Sequence, residues 1–353
     1  MQTKSCVFPG NLVIILCIIL LLSTSQNSVA VSMGSIQTRA AIVVTTFTDE
    51  YGTGSDCSLR EAITAANTDA SFHGCESGPG ADTIQLSEGT YLLSIAGIKD
   101  DVNASGDLDI LDDVFIIGVS AAGTIIDAAD LDRVFDVHGS STSAHFERLT
   151  ITNGTAPSAD PNLDGEDGGG IHSEGAVELN TVNLSRNYAG NGGNETGDGG
   201  EGGGIYCEGN LTISESTIEY NYAGKGGDIS SCNCPPEPAE YAGEGGDGGG
   251  IRSFGATTIE NSFIRYNHAG NGGNGILGVQ AYPTDAGSGG GIACSGATTI
   301  SHTEIRGNYG GNVGAGPATG NGGSGGGIYN TGDLTMDHVT LSYNRPGNGR
   351  YLV

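Results

Sequence analysis

Asp109, Asp112 and Asp113 form an acidic cluster near the N-terminal end, and Arg252, Arg265 and Arg306 recur in three separate units further on. Paired carboxylates at a set separation hydrolyse glycosidic bonds, one as acid and the other as base or nucleophile. Eliminative cleavage of an acidic polysaccharide instead needs a basic group to remove a ring proton, with Ca2+ to acidify it. Neither set is complete. His138-Gly139 stands without the Asn-Thr-Asp, Asp-Asp and Arg-Ile-Lys elements that would accompany it in a hydrolase. The arginines lie at repeat positions beside Tyr or Ile, as on a solvated strand face. The sequence therefore assigns no catalytic residue.

Metal chemistry has a similarly thin basis. Asp198, Glu201, Glu244 and Asp247 sit in Gly-rich stretches resembling Gly-Gly-x-Gly-x-Asp calcium nonapeptides, but the nine-residue period is missing. They stand as weak Ca2+ candidates, with solvated acidic loops as the simpler account and no other cofactor expected. Cys57, Cys75, Cys207, Cys232, Cys234 and Cys294 are candidates for disulfides, and Cys57 with Cys75 brackets one short helical segment. Cys232-Asn-Cys234 lacks the further ligands of a zinc site.

The chain has 353 residues with a net charge of −28, 63 glycines and no tryptophan. That charge argues against nucleic acid, whose phosphates need Lys and Arg to displace counterions. Lys4, an apolar run over residues 12–22 and Ser28-Val29-Ala30 make residues 1–30 a secretory signal peptide, too short to span a bilayer and removing Cys6 and Cys17. No integral membrane segment remains after cleavage. The mature chain is expected to be extracellular or on the cell surface, where disulfides persist.

The elements that position these residues come from an internal repeat. Gly168-Gly169-Gly170-Ile171 recurs at 202–205, 248–251, 289–292 and 325–328, and each isoleucine is followed 16 positions later by Asn187, Asn221, Asn267, Asn308 or Asn344. Between each asparagine and the next triplet lie 14, 26, 21 and 16 residues in turn. A fixed unit with elastic insertions is a solenoid coil whose extra residues emerge at one corner. Apolar residues alternate within the unit, with a further column at Leu184, Ile218, Ile264, Ile305 and Leu341, so the coils are built of short strands. The fold expected is all-β, a right-handed parallel β-helix over 96–353 with a short N-terminal capping helix. Regular repeat units begin near 168. The asparagines form a structural ladder, since stacked amides can hydrogen-bond along the coil axis. Thr212, Thr258, Thr299 and Thr335 fall in one outward column. Ser58 and Glu61 form a capping box ahead of a helix over 59–67 that covers the first coil.

Residues 41–95 carry a recognisable text: Phe47-Thr-Asp-Glu-Tyr-Gly-Thr-Gly-Ser-Asp-Cys57-Ser-Leu-Arg-Glu-Ala-Ile63, then Ala65-Ala-Asn67, Gly80-Ala-Asp-Thr-Ile-Gln-Leu86 and Gly89-Thr-Tyr91. It resembles the CSLREA domain of exported bacterial proteins, which implies the opening of a right-handed parallel β-helix in a large surface or extracellular protein. The Gly-Gly-Gly-Ile and Leu/Ile-x-x-Asn elements resemble the repeats of polymorphic outer membrane proteins, which implies an adhesin, outer-membrane associated through a C-terminal anchor. The chain stops at Arg350-Tyr-Leu-Val353 directly after a coil, as a fragment would. Long insertions at one corner suit a structural or adhesion-type protein displaying loops to a host or neighbour cell surface, matrix or polysaccharide. A polysaccharide lyase or glycoside hydrolase acting on an acidic polysaccharide is the alternative.

Overall fold

A computed structural model describes residues 41–98, 100–230, 240–276, 281–317 and 319–350. The signal peptide expected over 1–30, and Cys232 and Cys234, lie outside these residues.

The chain winds as a right-handed parallel β-helix, three short strands to a coil. Strands such as Ile205–Cys207, Leu211–Ser214 and Thr217–Glu219 each pair in parallel with their counterparts one coil before and after. The result is three long sheets of seven, nine and eight strands. In-register stacking turns each apolar position into a column. Ile171, Ile205, Ile251 and Ile292 form one, and Leu184, Ile218, Ile264 and Ile305 another; all eight are fully buried. Each such side chain contributes roughly 1.5–3 kcal/mol. Thr212, Thr258, Thr299 and Thr335 stack outward on the nine-stranded sheet.

Helix α1 (Leu59–Asn67) covers the N-terminal end. Ser58 and Glu61 close its capping box, and Leu59, Ala62, Ile63 and Ala66 are buried in the core. Arg60 is fully buried and answers for its charge: Nη1 and Nη2 donate to Asp107 O and Gly106 O at 2.7 and 2.8 Å, and Nε to Asp49 Oδ1 at 2.8 Å. Asn67 both donates to Asp109 O and accepts from Leu111 N. The helix thus satisfies backbone at the open edge of the seven-stranded sheet. Cys57 and Cys75 are disulfide-bonded, closing the segment that holds it. Cys207 and Cys294 are free and buried, correcting the expectation that they form disulfides. Their strands place them in one column of the coil interior with Ser253 between, two coils apart. Stacked coils repeat about every 4.8 Å, and sulfurs two coils apart cannot meet across the ~2 Å of a disulfide.

Asn187, Asn221, Asn267, Asn308 and Asn344 form a continuous ladder. From Asn221 onward each Oδ1 accepts both the backbone N–H and the Nδ2–H of the asparagine one coil before, at 2.9–3.0 Å, and Asn187 Oδ1 accepts from Gly154 N. Each glycine of the triplet has its own cause. The first has φ of +60 to +68°, the second lies against backbone of the residue after the asparagine, and the third lies against the ladder amide.

Over their described residues the insertions are packed against one another. Each leaves the coil as one arm and returns as another, and both arms stack coil upon coil. Backbone bonding repeats every third residue. Ala223, Gly226 and Ile229 donate to the same arm of the next coil, while Gly224 and Gly227 donate across to a returning arm. Lys225 N donates to the side chain of Asn191 in the coil before. Three residues per turn without bonds inside the arm is the polyproline-II pattern, and only glycine fits where such helices crowd. A Cβ on Gly224 would lie 1.9 Å from Gly190 O, and one on Gly246 2.0 Å from Gly200 O. The insertions therefore build a close-packed glycine fin along one corner.

Candidate functional site

The fin makes a cleft on each side of itself, one lined by outgoing arms and the other by returning arms. The residue after each ladder asparagine begins the outgoing arm and forms single-residue parallel bridges, Thr155–Tyr188–Tyr222–His268–Tyr309–Arg345. This register stacks the rings of Tyr188, Tyr222, His268 and Tyr309 with centroids 4.9, 4.9 and 4.7 Å apart and planes within 13°. Burial lowers the His268 pKa, so at neutral pH the ring is uncharged like its neighbours. Because the faces cover one another, the stack offers ring edges and a row of phenol hydroxyls.

Opposite runs the outward column of the fin: Asn191, Lys225, Asn271, Asn312 and Asn348. Asn191, Asn271 and Asn312 each spend Oδ1 on the backbone N–H of the next coil, at 2.7–3.0 Å. What they have left for a ligand is the amide N–H. The groove between the columns has a volume of about 690 Å³ and continues from Thr155 to Arg345. Six rungs at ~4.8 Å make it about 24 Å long. It is rich in donors and amphipathic, as recognition of a hydroxylated chain requires.

The second cleft, of about 520 Å³, lies on the returning-arm side over the seven-stranded sheet. Three successive coils contribute: Asp107 and Asp109 from the first, Asp132, Arg133 and Asp136 from the second, Asp167 and His172 from the third. Arg133 lies at its centre, 2.9 Å from Asp136 and 3.3 Å from Asp107. Burial, with the nearby Asp132 charge, pushes the Asp107 carboxyl up to about 8. Burial raises Asp132 to about 6, with Asp109 and Asp136 adding to it. Burial alone would raise Asp136, but the His172 hydrogen bond at 2.8 Å and the Arg133 charge outweigh it and hold it below the usual range. His138 is raised to about 9, chiefly by its 3.0 Å hydrogen bond to Asp109. One cleft thus holds a neutral carboxyl beside an ionised one, the separation that acid–base chemistry uses.

These groups make stability pH-dependent. His138, raised in the folded state, stabilises fully below about 6.5, and that contribution is lost as pH rises towards about 9. Asp107, held neutral by folding, adds a loss of stability that begins near the ordinary carboxylate value of 3.8 and is complete by about 8, so it overlaps only the lower part of that window. The folded chain therefore holds protons that the unfolded chain releases, and stability falls with rising pH. Melting temperature is expected to drop between pH 6.5 and 9, with a shallower slope in Asp109→Asn. A flat profile would contradict the network.

The sequence candidates fall unevenly about these clefts. Asp109 lies in the acidic cleft. Asp112 and Asp113 instead accept backbone N–H groups of Asp113 and Ser143. Arg252 is on the seven-stranded sheet, paired with Glu201 at 2.9 Å, while Arg265 and Arg306 stack on the eight-stranded sheet, so the three do not share a face. Asp198 and Asp247 act as fin caps, their Oδ1 accepting from Glu244 N and Ser288 N at 2.6 Å. Glu201 N and Glu244 N donate to Asp167 and Asp198, so the four Ca2+ candidates divide between two ladders. Tyr188, Tyr222, His268 and Tyr309 were legible as immediate neighbours of the ladder asparagines. Arg133, Asp136 and His172 carried no such signal.

No protein-family model matches the chain, and no curated protein matches it. Among solved structures, the crystal structure of Escherichia coli YbhC is similar to it with a TM-score of 0.38 and 11% sequence identity, over 88% of this chain and 85% of that one. Among the described residues, no helix is long and apolar enough to cross a membrane.

Proposed function

We propose that the chain is an exported, extracellular or cell-surface protein of adhesion type, and that its groove along the fin holds a neutral polysaccharide. The observation that carries this reading is the pairing of a four-ring aromatic stack with a parallel column of four asparagine amides and Lys225. The apolar run near the N-terminus and the resemblance of residues 41–95 to an exported family support the location. A net charge of −28 disfavours polyanions and favours an uncharged chain whose hydroxyls accept from amides and phenols. In this reading the fin is a rigid wall, and the binding surface is its junction with the coils.

Electrophoresis through gels containing neutral or acidic polysaccharides tests it. At least one neutral polymer is expected to retard the protein, and Tyr222→Phe/Tyr309→Phe to abolish most of that retardation. Phenylalanine keeps the stack and removes only hydroxyls. Two lost hydrogen bonds at about 1 kcal/mol each correspond to roughly tenfold or more in affinity. Passage of every polymer without retardation would contradict the proposal.

The pKa separation in the acidic cleft favours a second reading, glycoside hydrolysis. Asp107 would protonate the leaving oxygen, and Asp136 would act as base or nucleophile. Nine acidic side chains line that cleft, so the substrate would again be uncharged or cationic rather than the acidic polymer first expected. Release of reducing ends from the same polymers, lost in Asp136→Asn, would support it; their absence would leave binding alone.

A further inference from the structure

The turn that joins the nine-stranded sheet to the eight-stranded one repeats in every coil with a left-handed residue. Thr181, Glu215, Asn261, His302 and His338 occupy it, with φ between 48 and 56°. Left-handed backbone at one position in each coil throws the five side chains outward, one above another. In the last two coils those side chains are imidazoles. The rings of His302 and His338 lie parallel, 5.0 Å apart and within 3°. Asp337 Oδ1 is 2.7 Å from His338 Nδ1, which fixes the proton there and leaves Nε2 with its lone pair. One ligand atom from each of His302, His338 and Asp337 lies within 4.8 Å of the others.

We propose that His302 and His338 bind one divalent transition-metal ion of borderline softness, such as Zn2+, with Asp337 as the positioning residue behind His338. Imidazole suits Zn2+ and Cu2+ and does not suit Ca2+ or Mg2+, which take oxygen. A carboxylate holding the far nitrogen is the usual support of a metal-bound histidine. Zn–N bonds of about 2.0–2.1 Å need the two nitrogens closer than the ring stack now puts them. Both rings are exposed, and His338 and Asp337 keep about 72% and 65% of their surface in solvent, so small side-chain rotations suffice. The ion would face a shallow cavity of about 420 Å³ lined by Phe263, Thr303, Glu304 and Thr340, leaving open positions for water or an exchangeable ligand. The other three-residue group, Asp109, Asp136 and His138, is the weaker candidate. Its oxygens are already engaged by Asn103 N, His172 and Arg133.

Calorimetric titration of the chelator-treated full chain with Zn2+ tests this. One saturable site per chain is expected, unaffected by millimolar Ca2+. His302→Ala and His338→Ala should each weaken it at least tenfold, and Asp337→Asn by about tenfold. Melting curves of these exposed-site variants should match the wild type, so a binding loss is not a folding loss. The proposal is overturned if the wild type shows no saturable step, if both histidine variants titrate like it, or if His138→Ala removes the site instead.

Discussion

Asn221→Leu is expected to destabilise the protein by about 3 kcal/mol or more, although leucine is similar in size and lies in an apolar interior. Asn221 Oδ1 accepts from both Asn187 N and Asn187 Nδ2, and its own Nδ2 donates to Leu184 O and Asn267 Oδ1, each at 3.0 Å. Leucine replaces none of these. The Asn187 N–H, its amide N–H and an acceptor site on Leu184 O would be left without partners in a fully buried position. A buried group deprived of its hydrogen bond costs about 1–3 kcal/mol, and three are orphaned at once. Asn221→Ala removes the same bonds and adds a cavity beside Gly204, where an added Cβ would lie 3.0 Å from the amide carbon. Neighbouring coils contribute most of each coil's stability, so the loss should be read locally. Amide exchange at Asn187 and Tyr222 should accelerate together with the fall in melting temperature. A change under 1 kcal/mol would show that the ladder is incidental.

Gly246→Ala is expected to have an effect of similar size and opposite to ordinary expectation. Removing a glycine normally stabilises by about 0.4–1 kcal/mol through the unfolded state. At Gly246 the new methyl would sit 2.0 Å from Gly200 O and 2.7 Å from its carbonyl carbon. Both are backbone atoms, and Gly246 N is itself tied to Gly224 O at 2.9 Å. Neither arm can move aside without breaking bonds to the arms beside it. Overpacking of this kind costs typically 1–3 kcal/mol where side chains can yield, and here none can, so about 3 kcal/mol or more is expected. Asn271→Ala is the contrasting change. It removes one acceptor for Asn312 N at the exposed surface and should cost about 1 kcal/mol or less. Chemical denaturation with exchange readout separates fin from coil: Gly246→Ala should loosen Gly224 and Gly270 before Ile213 or Ile259. If alanine were tolerated there, the fin would not be close-packed.

How much of this was legible depended on the period that was sought. Alternation of two placed the strands, because Leu184, Ile218, Ile264 and Ile305 all face inward from strands with one buried side. Ser58 and Glu61 announced α1 through local backbone chemistry that distant contacts do not alter. The fin follows a period of three, written as Gly190 and Gly193, Gly197 and Gly200, Gly224 and Gly227. A search for strands and helices passes over it, and its acidic residues then read as solvation or weak calcium ligands. Asp198 is acidic or amide-like for another reason: an outward N–H in the next coil needs its oxygen.

The groove was half-visible. An aromatic residue follows four of the five ladder asparagines, but its partner column lies across the fin and could not be seen without it. The acidic cleft was hidden more thoroughly. Asp107, Asp136 and Asp167 come from three coils of unequal length, so no fixed spacing marks them. Cys207 and Cys294 were disulfide candidates by number alone; their positions two coils apart, with Ser253 between, decide otherwise.

The central claim is that a polysaccharide lies along the aromatic–amide groove, and the most direct measurement is a calorimetric length series. Oligosaccharides cut from the polymer that retards the protein would be titrated one length at a time. Affinity is predicted to rise with each added sugar until the ligand spans the groove, about 24 Å across six coils, and then to level off. Tyr222→Phe/Tyr309→Phe should flatten that rise. Affinity that is independent of length, or the same in the double variant as in the wild type, would contradict the account.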